Sequence, residues 1–156
     1  MGVRVYATYF DNVTVAAIQD VFSIKAGAAA GLGIHYIELN AGGVTSPAEI
    51  RLRLKRLPTT VTQGSGGSVP VVSAIDTGDT KASAHVVHAN DTTQATTSGT
   101  AVVLAAWQWN VLMPFQYLPS PEDRPFFAAG EAFVLDIPAA PASTLVSGWL
   151  LWTEFP

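Results

Sequence analysis

The chain contains no cysteine, which excludes disulfides, thiolate metal sites and thiol nucleophiles together. Charge is also scarce: 13% of the 156 residues are Asp, Glu, Lys or Arg, about half the ~25% usual for soluble domains. The net charge of −4 supplies no field that would draw the protein onto nucleic acid or an anionic membrane. The longest apolar run, Gly27 to Ile34, is far short of the ~20 residues of a membrane span, so a soluble protein is expected. No basic segment followed by an apolar stretch opens the sequence, and Tyr6 stands where a myristoylation signal needs Ser or Thr. Neither export nor lipid anchoring is expected.

What the chain has in quantity is apolar residues, 49% of the total. With so few charges, part of the surface is expected to be covered by sister subunits or by a larger assembly. The length suits one domain spanning residues 1–156 with a core that needs no covalent staple.

Periodicity reads as strand almost throughout. Val3 to Phe10 is rich in β-formers, Asp11-Asn12 supplies turn chemistry, and Val13 to Val15 resumes the strand. Asp20 to Ala26 alternates as a half-buried strand, and Gly33 to Asn40 is another, after a loop that carries Gly27, Gly31 and Gly33. Glu49 to Leu57 sets Ile50, Leu52 and Leu54 against Arg51, Arg53 and Lys55, the pattern of one dry face and one wet face. Further strands are expected at Val71 to Ile75, Ser83 to His88, Thr100 to Trp109, Gln116 to Leu118, Glu131 to Pro138 and Thr144 to Phe155. Between them, residues 58–84 form a Thr-, Ser-, Gly- and Asp-rich excursion whose length suggests a functional, partner-contacting loop, with Gly64-Ser-Gly-Gly-Ser68 as a flexible tip. No amphipathic helix of three turns is evident. The fold class expected is all-β, a jelly-roll-like β-sandwich of roughly eight to ten antiparallel strands.

Groups able to do chemistry are few. His85 and His88 are three apart, which on a strand turns them to opposite faces and disfavours a shared metal. His35 reads as a packed or subunit-contacting residue. Asp76 and Asp79 lack the ligand series of a calcium loop, and Gly64 to Ser68 lacks the Lys and Ser/Thr of a phosphate cradle. Neither catalytic residues, metal ligands nor a cofactor are expected. Arg51, Arg53, Lys55 and Arg56 hold half of all the basic residues, and a strand face so charged is read either as a solvated face or as a contact for an acidic neighbour. The candidate partner-contacting residues are therefore Arg51, Arg53, Lys55, His85 and His88. Trp107 and Trp109 share a strand face, Trp149 and Trp152 lie on opposite faces, and core packing is expected for most of them.

Several segments occur in a distinctive order: Asp20-Val-Phe-Ser-Ile24, Thr62-Gln-Gly-Ser-Gly-Gly67, Ala89-Asn-Asp-Thr-Thr93, Trp107-Gln-Trp-Asn110, Phe115-Gln-Tyr117, Pro119-Ser-Pro-Glu-Asp-Arg-Pro125, Gly130-Glu131, Leu135, Pro138-Ala-Ala-Pro-Ala142 and Ser147-Gly-Trp-Leu-Leu-Trp-Thr-Glu154. Together they resemble a family of small tailed-phage and prophage proteins. The resemblance covers most of the chain. It implies a jelly-roll module that decorates capsids or attaches to other virion parts, often as a trimer, and it transfers no catalytic residue to any position here. Gly148 to Glu154 also looks like the closing strand of the tumour-necrosis-factor and complement type of jelly roll, a likeness of fold alone.

The expected function is a capsid decoration or cement protein, made in the host cytoplasm and placed on the capsid exterior. Its partners would be the major capsid protein or other virion proteins, with no nucleic acid and no membrane. The rival is a receptor- or glycan-binding head of a tail fibre or spike. Such a head is expected to need a stalk or attachment segment, whereas strand pattern here begins at the third residue. An enzyme on a β scaffold is a third possibility, disfavoured by the scarcity of ionisable groups.

Overall fold

The computed structural model describes residues 4–79 and 85–155. The expected start of the first strand at Val3, and the Ser83 to Ala84 end of another with the last part of the excursion, lie outside the described residues.

The described residues form thirteen strands: β1 (Arg4–Val15), β2 (Gln19–Lys25), β3 (Gly31–Gly42), β4 (Glu49–Leu57), β5 (Val61–Thr62), β6 (Val72–Ala74), β7 (Val86–Asp91), β8 (Thr96–Thr97), β9 (Val102–Asn110), β10 (Phe115–Tyr117), β11 (Phe126–Phe127), β12 (Ala132–Ile137) and β13 (Thr144–Phe155). Among the described residues the one helical element is a 3₁₀ turn at Pro121–Asp123, inside the proline-dense connection. No helix there is long and apolar enough to cross a membrane. One sheet runs β10-β3-β13-β1-β6, with β11 also on β3, and the other runs β7-β2-β12-β4-β9.

The pairing is nested. β1 pairs β13, β2 pairs β12, β3 pairs β10 and β4 pairs β9, all antiparallel. A long hairpin rolled so that successive pairs fall in alternating sheets is the jelly roll, and the protein is a jelly-roll-like β-sandwich. Alternation along each strand sends one set of side chains inward. Tyr6, Phe22, Ile24, Leu32, Ile34, Leu52, Leu54, Phe133, Leu135, Leu150 and Trp152 are fully buried in that shared interior.

Two expectations change. Asp11-Asn12 does not end a strand: β1 runs through it with a bulge between Phe10 and Val13, and Asn12 takes the positive φ of 55° that the bulge requires. The larger change concerns β2 and β12. β2 was expected to be half-buried, yet all of it but Lys25 is buried, and so is every residue of its partner β12. The cause is a third layer. Residues 58–68 and 89–99 fold over the outer face of the second sheet, paired through β5 and β8, and close a second small core of Leu57, Val61, Ala95, Ala132 and Val134.

The glycine run is a seam of this layer and not a free loop tip. Ser65 bridges Thr93 and Ser68 bridges Ala89. A Cβ on Gly67 would collide with the Ala89 carbonyl, and one on Gly64 with the Thr93 carbonyl. Farther along, β6 pairs with β1. The described part of the excursion thus lies along β7 and β1, closing the lateral side of the sandwich formed by those edges.

Candidate functional site

The basic row on β4 is largely internal. Arg53 grips Asp136 of β12 with two hydrogen bonds, Nε to Oδ1 at 3.1 Å and Nη2 to Oδ2 at 2.6 Å. Lys55 Nζ reaches the same Oδ2 at 2.8 Å, and Asp136 is completely buried. Of the three alternating cations Arg51 alone is exposed, Arg53 is half-buried, and Lys55 is sealed beneath the third layer. Arg53 and Lys55, read from the sequence as candidate partner contacts, are both paired with Asp136. Their charges are spent on a carboxylate of their own chain because the third layer excludes the water that would otherwise solvate them.

Asp20 of β2 completes this cluster. It accepts the Ala95 amide at 2.7 Å, and Gln94 Nε2 donates to both Asp20 and Asp136 at 3.1 Å. Burial raises the Asp20 carboxyl to about 6, against the lowering pull of the Ala95 amide and Lys55. Asp136 moves the other way: burial pushes it up, but the hydrogen bonds from Arg53 and Lys55 outweigh burial and hold it below the usual carboxylate range. Carboxylates driven apart in this way are a common acid-base signature. Here Asp20 and Asp136 are 1% and 0% exposed, and the cluster clasps the third layer to the sheet.

The histidines are separate from one another in role. His85 precedes β7 with its side chain fully buried, edge-on to Trp152 at 5.3 Å between ring centroids. Its Nδ1 accepts the Gly27 amide at 3.0 Å, and burial lowers its pKa against the raising influence of Glu154. His88 is half-buried, with Nδ1 2.9 Å from Asp91 Oδ2. Asp91 in turn accepts the Gly67 amide of the seam. Of these two candidate partner contacts, the His85 ring is buried within its own chain and the His88 ring is half-buried against Asp91. His35 Nε2 of β3 lies 3.2 Å from Thr153 Oγ1 of the neighbouring strand β13. In the Asp76 turn, Asp76 Oδ1 accepts the Gly78 amide.

An exposed apolar edge lies on the side opposite the excursion. β9 ends the second sheet, and among the described residues no strand pairs with its outer side. Its partner β4 is bridged with a bulge at Leu104, since Leu54 pairs Ala105 and Lys55 pairs Val103. Val102, Val103 and Leu104 are 44%, 50% and 39% exposed. At the far end Trp109 is buried, its indole N–H donating to the Met113 carbonyl at 2.7 Å. Trp107 packs against Phe115 and Tyr117 of β10, which joins the edges of the two sheets. Beside this seam a groove of about 570 Å³ is lined by Arg56, Leu104, Tyr117 and Phe126 among others.

Apart from the bulge at Leu104, this edge lacks the charges and prolines that usually protect one. From Thr92 to Pro121 the sequence has no charged residue, and β9 has neither proline nor lysine. Edge strands of monomeric proteins are normally blunted by such residues. The sequence contained the signal, an uncharged run of thirty residues, but periodicity alone does not tell an edge strand from a central one. In comparison with known proteins, no protein-family model, no curated protein and no solved structure matches the chain.

Proposed function

We propose that the chain is a virion structural protein, a decoration or cement protein on the capsid exterior. It assembles as a homotrimer and bridges subunits of the major capsid protein through the β9 side of its sandwich. The observation that carries this reading is the uncharged, proline-free β9 edge with Val102, Val103 and Leu104 exposed. A strand of a coat subunit would continue the sheet by main-chain hydrogen bonds, with the exposed valines and leucine setting specificity. The mechanism is mass action, because contacts made only in the assembled shell favour the assembled shell. Together with the sequence resemblance, the low overall charge supports the same reading.

The test is to strip the protein from virions that carry it and measure their resistance to heat and osmotic shock. Resistance should fall and should return when wild-type protein is added back. Val103→Lys, which places a gatekeeper charge on the edge, should fold normally yet fail to restore it. Stripped particles as resistant as intact ones would overturn the proposal.

A further inference from the structure

The outer face of the first sheet carries a row of side chains that the jelly-roll interior does not use. In register across four strands stand Tyr9 of β1, Trp149 of β13, Glu38 of β3 and Gln116 of β10. At the ~4.8 Å spacing of neighbouring strands the row spans on the order of 14 Å. Tyr9 is 63% exposed and Trp149 41%. Large aromatic residues normally go inside or find a partner, yet these two stand side by side facing solvent.

The groups around them are held in place. Tyr36 meets the Trp149 ring edge-on, with centroids 5.2 Å apart and planes at 70°, which fixes the plane of the indole. The Tyr36 hydroxyl donates to Glu38 Oε2, Asn40 Nδ2 donates to Oε1 at 2.8 Å, and Gln116 Nε2 approaches Oε2 at 3.4 Å. Hydrogen bonds from Tyr36 and Asn40 hold the Glu38 carboxyl below its ordinary range, so it is ionised at neutral pH. Among the described residues Glu38 has no ion-pair partner. It is a fixed acceptor beside an exposed aromatic platform, surrounded by amide and hydroxyl groups whose remaining donors and acceptors are free to meet a ligand.

We propose that this face is a binding site for neutral carbohydrate, with the apolar face of a pyranose ring stacked on Trp149 and Tyr9 and its hydroxyls donating to Glu38. The chemistry matches on both counts. A sugar ring offers C–H groups to an aromatic face and hydroxyl donors at its rim, and the length of the row suits a short oligosaccharide better than a single sugar. Glu38 also sets selectivity. An ionised carboxylate without a cation beside it repels sialic or uronic acids, so neutral hexose and N-acetylhexosamine chains are the class accepted. The site lies on a different sheet from the β9 edge and does not depend on the cement reading.

The experiment is binding of the full chain to an array of neutral oligosaccharides, with sialylated and uronic acid-containing counterparts alongside, followed by titration of the best neutral probe. Neutral probes should be retained and their acidic counterparts not. Trp149→Ala should weaken binding at least tenfold and Glu38→Gln severalfold, with the far-ultraviolet circular dichroism and melting curve of each variant establishing that the sandwich is intact. Saturation-transfer NMR should place ring C–H protons, and not the reducing end alone, against the protein, and this contact should be lost in Trp149→Ala. Retention of no neutral probe, preference for acidic ones, or unchanged affinity in both folded variants would each overturn the proposal. Particle resistance after stripping is unaffected by either variant, so failure here is distinguishable from failure of the cement reading.

Discussion

Lys55 Nζ sits 2.8 Å from Asp136 Oδ2, in a place where Lys55 is 8% exposed and Asp136 is 0%. Removing one member of a buried pair leaves the other charged and uncompensated, at a typical cost of 3–5 kcal/mol. Asp136→Asn is expected to destabilise the fold by about that amount in urea unfolding. Lys55→Met should cost less, because Arg53 keeps its two-point grip on Asp136. In the double variant the losses should be less than additive; strict additivity would mean the two side chains do not interact.

Asp20 contributes a pH dependence whose sign is opposite to that of most carboxylates. With its pKa raised to about 6, the folded state holds a proton between about pH 4 and 6 that the unfolded chain has released. Stability from this group is therefore present at low pH and lost as pH rises through that window, on the order of 3 kcal/mol in all. Asp136, held low, works the other way: its contribution is present above the unfolded carboxylate range and lost as pH falls below it. His85, also lowered, loses stability as pH drops through the ordinary histidine range. Asp20→Asn isolates the first effect. Relative to wild type it should gain stability from about pH 4 to 6 in urea midpoints and level off above, and a constant difference across that range would refute the assignment.

Trp149 and Trp152 lie three residues apart on β13 and should behave differently. Trp152 is completely buried against Tyr6 and His85, so Trp152→Ala should cost about 3–5 kcal/mol. Trp149→Ala, on the solvent face, should change stability by less than about 1 kcal/mol. Chemical unfolding of the two variants side by side makes the comparison, and equal losses would contradict the placement of Trp149.

Gly67→Ala tests the seam that holds the third layer. Its Cβ would meet backbone atoms of Ala89 and Asn90 that cannot swing away, and overpacking of this kind costs about 1–3 kcal/mol. Hydrogen exchange should speed up selectively at the Ala89 and Thr93 amides, which donate to Ser68 and Ser65. Exchange that rises equally in β13 would point to global loosening and away from a local seam.

By itself the sequence determined the class of the fold and most of its strands. Alternation and Gly/Pro punctuation are local properties, so β4, β12 and β13 are legible within a residue or two at each end. The opposite facing of Trp149 and Trp152 follows from the same period of two. Local pattern does not report what covers a strand from outside. Only the tertiary structure decided that Arg53 and Lys55 meet Asp136 under a third layer, that the Gly64 to Ser68 run is a packed seam, and that no strand among the described residues pairs with the outer side of β9. Each of these depends on contacts between segments far apart in the chain. The same holds for Tyr9, Trp149, Glu38 and Gln116, four residues from four strands that become one surface only once the rolled hairpin sets their register.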